Sequence, residues 1–130
     1  MATKATYFLQ NISSGNFMLW NVCSQAGSKA KIVLKDDTKV YFTIEKKTFD
    51  HNLIKLGQDS ADYKGGSNLR LEIEVTDHPD LDIRQSINSY NITDQKSNIV
   101  GCGYAYCIED HEDDDYNDYY IDIVAWNKKG

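Results

Sequence analysis

Asn68-Leu69-Arg70-Leu71-Glu72-Ile73-Glu74-Val75 is the stretch that decides how this chain folds. Apolar residues stand at its odd positions and polar ones at its even positions. Side chains alternate between the two faces of an extended strand, so such a segment buries one face and wets the other. Shorter runs of similar character occur at 17–22, 31–34, 40–44, 53–56, 86–92, 99–108 and 119–126. Turn-forming residues lie between them, among them Ser13-Ser14-Gly15-Asn16, Ala26-Gly27-Ser28, Asp36-Asp37, Lys64-Gly65-Gly66-Ser67 and Asp77-His78-Pro79-Asp80. Strands recurring every ~8–15 residues, with no long helical period, predict an all-β fold, an antiparallel β-sandwich of about nine short strands.

The remaining composition narrows the function. The chain has 130 residues, 41% apolar and 12% aromatic, which suits one globular domain over 1–130. No apolar run approaches the ~18 residues of a membrane span. Tyr7-Phe8-Leu9 turns polar at Gln10-Asn11, too short for the core of a signal peptide. The expected location is therefore the cytoplasm, or the cell surface by a non-classical route. Cys23, Cys102 and Cys107 make an odd set, and positions 102 and 107 of one strand face opposite ways. All three are read as reduced thiols.

Charge is concentrated in one place. Glu109, Asp110, Glu112, Asp113, Asp114, Asp115 and Asp118 put seven acids within ten residues. Removing those seven from the chain's 20 acids leaves 13 against 14 bases. With no basic stripe to meet phosphates, nucleic acid is not an expected partner. Carboxylates this close repel one another and call for a cation or free solvent. Asp113, Asp115 and Asn117 recur at every second position, which lets a curled loop turn successive oxygens inward. Glu109 and Asp118 close the loop from its two sides. Oxygen donors in this number suit calcium, and exceed what one ion needs. An EF-hand is excluded, because Asp118 stands where its glycine belongs, Val124 stands where its glutamate belongs, and the flanks read as strands.

Glu109-Asp110-x-x-Asp113-x-Asp115-Tyr116-Asn117-Asp118 resembles the calcium loop of the bacterial two-calcium fucose/mannose-binding lectins of the LecB (PA-IIL) type. Phe17-Met18-Leu19-Trp20-Asn21-Val22-Cys23-Ser24-Gln25-Ala26-Gly27-Ser28 resembles that family's second strand and sugar loop, and the ending in an apolar strand, Trp126 and Gly130 is also similar. The resemblance implies two adjacent calcium ions per site, on which ring hydroxyls of mannose- or fucose-type sugars are placed. It implies calcium ligation by Glu109, Asp113, Asp115, Asn117 and Asp118, by the carbonyl of Ser24, and by the terminal carboxylate of Gly130 from a neighbouring subunit. It implies sugar contacts from Gln25, Ala26, Gly27, Thr48 and Asp110, with Asp113, Asp115, Asn117, Asp118 and Gly130 shared between metal and sugar. A shared terminal ligand implies a homodimer or a tetramer. Gln25-Ala26-Gly27 stands where the family has Ser-Ser-Gly, and the stretch after Asp118 is about two residues longer, a length that a bulge or a longer tail must absorb for Gly130 to reach the ions. Asn11-Ile12-Ser13-Ser14-Gly15 is a second, superficial match to the sugar loop.

Two other functions compete with a non-enzymatic lectin. One is a β-sandwich module whose calcium is purely structural. The other is a glycosidase, which needs one carboxylate of raised pKa in an enclosed cleft. Elsewhere, His51, His78 and His111 lack metal-ligand spacing, Gly101 and Gly103 are expected to allow close strand packing, and Trp20 and Trp126 are expected in the core.

Overall fold

Alternation becomes two stacked sheets. In the computed structural model, which describes residues 3–48, 52–77, 83–109 and 116–128, nine strands follow in order. They are β1 (Thr3–Phe8), β2 (Phe17–Ser24), β3 (Ala30–Lys35), β4 (Val40–Lys46), β5 (Ile54–Asp62), β6 (Arg70–Val75), β7 (Arg84–Thr93), β8 (Ile99–Glu109) and β9 (Tyr119–Trp126). A four-stranded sheet runs β1-β6-β3-β4 and a five-stranded sheet runs β5-β2-β9-β8-β7. Every pairing is antiparallel.

The core lies between the sheets. Leu71, Ile73 and Val75 of β6 point inward beside Ile32 and Leu34 of β3. Leu71, Ile73, Ile32 and Leu34 share one core cluster with Met18, Trp20 and Val22 of β2 and Tyr119, Ile121 and Ile123 of β9. Fully burying an aliphatic side chain of this size is worth roughly 1.5–3 kcal/mol, so this layer is what holds the sheets together.

The outer faces differ. The four-stranded sheet turns out Lys4, Arg70, Glu72, Glu74, Lys31 and Lys35, with Lys4 and Arg70 both within ion-pair reach of Glu72. The five-stranded sheet turns out half-buried Phe17, Leu19, Cys23, Ala105, Val124 and Trp126 around a polar pair, Asn21 donating to Asp122 at 3.1 Å. Trp126 thus leaves the core expected of it and stacks on Phe17, with centroids 6.4 Å apart.

Two strand readings change. β1 carries one well-buried side chain, Tyr7, with Ala5 only partly buried and Phe8 turned to solvent, so its apolar signal is too thin to see. β5 runs on to Asp62 through Gln58-Asp59-Ser60, because an edge strand is held by backbone pairing with β2 and needs no apolar face. Among the described residues no helix is long and apolar enough to cross a membrane, and all three cysteines are free thiols.

Candidate functional site

The β8–β9 ladder ends in a row of acids. Its last pair is Ile108 with Tyr119, and the Asp118 N–H donates to the Ile108 carbonyl at 3.1 Å. One residue further on each strand stand Glu109 and Asp118, exposed by only 0% and 7%. Glu109 Oε1 accepts from the Tyr116 N–H at 3.1 Å, and Tyr116 holds a φ of 55°. A left-handed backbone at a tyrosine is uncommon, so the loop's return is a specified turn rather than slack chain. Burying carboxylates is costly unless cations or hydrogen bonds compensate them. Glu109, Asp118 and the exposed Asn117 carry oxygens of the hard kind that a calcium ion takes, and they could contribute part of its set of roughly 6–8. Asp110, Asp113, Asp115 and Gly130, all expected site residues, lie outside the described residues. Among the described residues alone, no group of three or more acidic, histidine or cysteine side chains assembles.

The candidate sugar loop is stitched onto this row. β2 lies on the other side of β9, and its last residue, Ser24, pairs with Tyr119. Ser24 is fully buried, and its hydroxyl donates to the Asp118 carbonyl at 2.8 Å. The Gln25 N–H donates to the same carbonyl at 2.9 Å, and the Ala26 N–H donates to Ser24 Oγ at 3.1 Å. Gln25, Asp118 and Glu109 therefore follow one another across three strand ends. The rival loop, 11–15, sits at the opposite end of β2 and joins none of this.

A further residue escapes the sequence reading. Lys46 is 2% exposed, and its ammonium donates to the carbonyls of Ala26 (2.6 Å), Ser28 (2.9 Å) and Thr48 (2.6 Å). It thereby brings exposed Thr48, an expected sugar contact, to the Gln25–Gly27 loop. The signal was present as a lysine in the inward register of β4, after Phe42 and Ile44. On the far side of the loop, buried Tyr119 holds Ser28, with hydroxyls 2.7 Å apart and a further bond to the Ser28 carbonyl at 3.2 Å.

Solved structures share this arrangement of sheets. A Chromobacterium violaceum lectin, CV2L, in complex with alpha-methyl-fucoside matches with a TM-score of 0.58 and 18% identity, over 93% of this chain and 94% of that one. The C-terminal domain of the BC2L-C lectin from Burkholderia cenocepacia matches at 0.58 and 20%, over 95% and 97%. A Ralstonia solanacearum high-affinity mannose-binding lectin matches at 0.60 and 19%, over 93% and 94%. The fold is that of these bacterial lectins. No protein-family model and no curated protein matches the chain.

Proposed function

We propose that this chain is a non-enzymatic, calcium-dependent lectin for mannose- or fucose-type sugars, with two adjacent calcium ions in the 109–118 loop. The observation that carries the reading is the row Gln25, Asp118, Glu109 at one end of the five-stranded sheet. It sets a buried acidic pair against the backbone of the candidate sugar loop. The lectin folds it resembles, one with a bound fucoside and one named for mannose binding, support the choice of ligand.

Glu109, Asn117 and Asp118 would hold the ions, with Asp113 and Asp115 completing the set and the Ser24 carbonyl adding a neutral oxygen. Bound calcium supplies a strong electrostatic anchor for hydroxyl oxygens, which otherwise compete poorly with water. The carboxylates of the same loop accept the hydroxyl protons as charge-assisted hydrogen bonds. Oxygen toward metal and proton toward carboxylate selects a particular order of hydroxyl orientations around the ring. Gln25, Ala26, Gly27 and Thr48 border the sugar and tell its ring substituents apart.

A homodimer is part of this reading, and the apolar outer face of the five-stranded sheet supports it. Leu19, Ala105, Val124 and Trp126 together are an unusual surface to leave to water. β9 runs away from the acidic loop to the far end of the sheet. In this reading a copy packed on this face about a two-fold axis, its sheet antiparallel to the first, would bring the expected Gly130 ligand to its neighbour's calcium.

The test is calorimetric titration of mannose and of fucose, with calcium and again with excess chelator. Binding that disappears with the chelator is expected. No sugar binding, with calcium still raising the melting temperature, would replace this reading with a module whose calcium is structural.

A further inference from the structure

Burying an ammonium costs several kcal/mol, and an apolar side chain in the inward register of β4 would avoid the cost. The fold nevertheless places Lys46 there, among carbonyls from two separate loops. The ammonium donates to the carbonyls of Ala26, Ser28 and Thr48, so one cation joins three backbone oxygens. Two of these acceptors bracket Gly27, and the third belongs to the chain leaving β4. Without a cation between them, converging carbonyl dipoles repel and the two loops part. Discriminating two monosaccharides requires polar groups held to within about 0.5 Å, which loops seldom achieve unaided.

We propose that Lys46 is a positioning residue that locks the 25–28 loop and Thr48 into one unit, and so sets which monosaccharide the site prefers. The selectivity part rests on the sugar-binding reading above, whereas the locking part does not. Buried beneath the loop, Lys46 acts only through the backbone it holds.

The experiment compares wild type with Lys46→Met, which keeps the length and removes the charge. It uses backbone amide hydrogen exchange together with titration of mannose and fucose. Exchange at residues 26–28 and 47–48 should quicken about ten-fold or more, with core amides of β6 unchanged. The ratio of the two sugar affinities should shift by about five-fold, the scale of one lost hydrogen-bonded constraint. Tyr119→Phe removes a hydroxyl that holds Ser28 and leaves Lys46 in place, so it should loosen 26–28 and leave 47–48 as they are. Unchanged exchange in a folded Lys46→Met protein overturns the proposal, and unchanged selectivity alone overturns its second half. If Lys46→Met does not fold, the wild-type ammonium signal decides: a nitrogen-15 resonance slow to exchange and coupled to those three carbonyls supports the lock, and a rapidly exchanging one overturns it. If wild type binds neither sugar, the lectin reading fails, and the exchange measurement still decides whether Lys46 holds the loops.

Discussion

The hydroxyl of Ser24 donates to the carbonyl oxygen of Asp118 at 2.8 Å, across 94 residues of sequence. This bond fastens the candidate sugar loop to the end of the candidate calcium loop. Ser24 Oγ also accepts from the buried Ala26 N–H. Ser24→Ala deletes both bonds and leaves that N–H buried without this partner. We expect a loss of about 1–3 kcal/mol in a denaturant melt, with sugar affinity falling alongside. Ser24→Thr, which keeps the hydroxyl, should lose less of both. Equal losses in the two variants would show that the hydroxyl is not what matters.

Asp118→Ala and Asp115→Ala should each abolish sugar binding while the sandwich remains folded. The measurement is titration calorimetry beside far-ultraviolet circular dichroism. Retained binding in either variant would count against the two-calcium arrangement, which requires both residues as ligands shared between metal and sugar.

Asp36 governs an acid-sensitive turn at the β3–β4 connection. Burial pushes its carboxyl up, but hydrogen bonds from the Thr38 N–H (2.7 Å), the Thr38 hydroxyl, the Lys39 N–H (2.8 Å) and the Tyr41 hydroxyl outweigh this. The group is thus held below the ordinary carboxylate range. A depressed folded-state pKa means that the unfolded chain takes up the proton first as pH falls. The stabilisation is present above the ordinary aspartate value and disappears as pH drops through the folded one. Wild type should therefore melt higher than Asp36→Asn near neutrality, and the gap should close on acidification. A gap that stays constant with pH would remove Asp36 from the account.

Gly101 and Gly103 should respond differently to the same substitution. A Cβ on Gly101 would meet the Ala125 carbonyl at 2.4 Å, which is backbone in the central strand and has nowhere to go. A Cβ on Gly103 would meet the ring of Tyr90, which is 46% exposed and free to swing outward. Gly101→Ala should cost about 1–3 kcal/mol by thermal melting, and Gly103→Ala clearly less. Equal costs would show that Tyr90 is fixed over Gly103.

Much of the sandwich was legible because alternation is a local property. Leu71, Ile73 and Val75 announce their strand without help from any partner. Phase on β9 was missed at Trp126, expected in the core for its size: Asp122 faces out, and the other even positions, Trp126 among them, face out with it. β1 was hidden, because its pairing with β6 carries it and its side chains say little. At the site, Glu109 and Asp118 stood out through carboxylate density alone. The side-chain role of Ser24 did not, since it depends on which strand lies beside β9. Lys46 was hidden by a reasonable habit: a lysine at a strand end is ordinarily solvated, and only the closing of two loops over it makes it internal.

β9 occupies the middle of the five-stranded sheet, although it is the last strand of the nine to be synthesised. Until residues 119–126 are available, that sheet can pair only as two separate halves, β5-β2 and β8-β7. Two-stranded ribbons are marginal in water, and each half has an open edge where β9 will go. At a synthesis rate of about 5–20 residues per second, the nascent chain spends seconds in that condition. Closure of the sheet therefore waits for β9, and Gln25, Asp118 and Glu109 come into line only when it is in place. Substitutions in β9 should accordingly show first in the yield of soluble protein from cells, before they show in the melting temperature of whatever has folded.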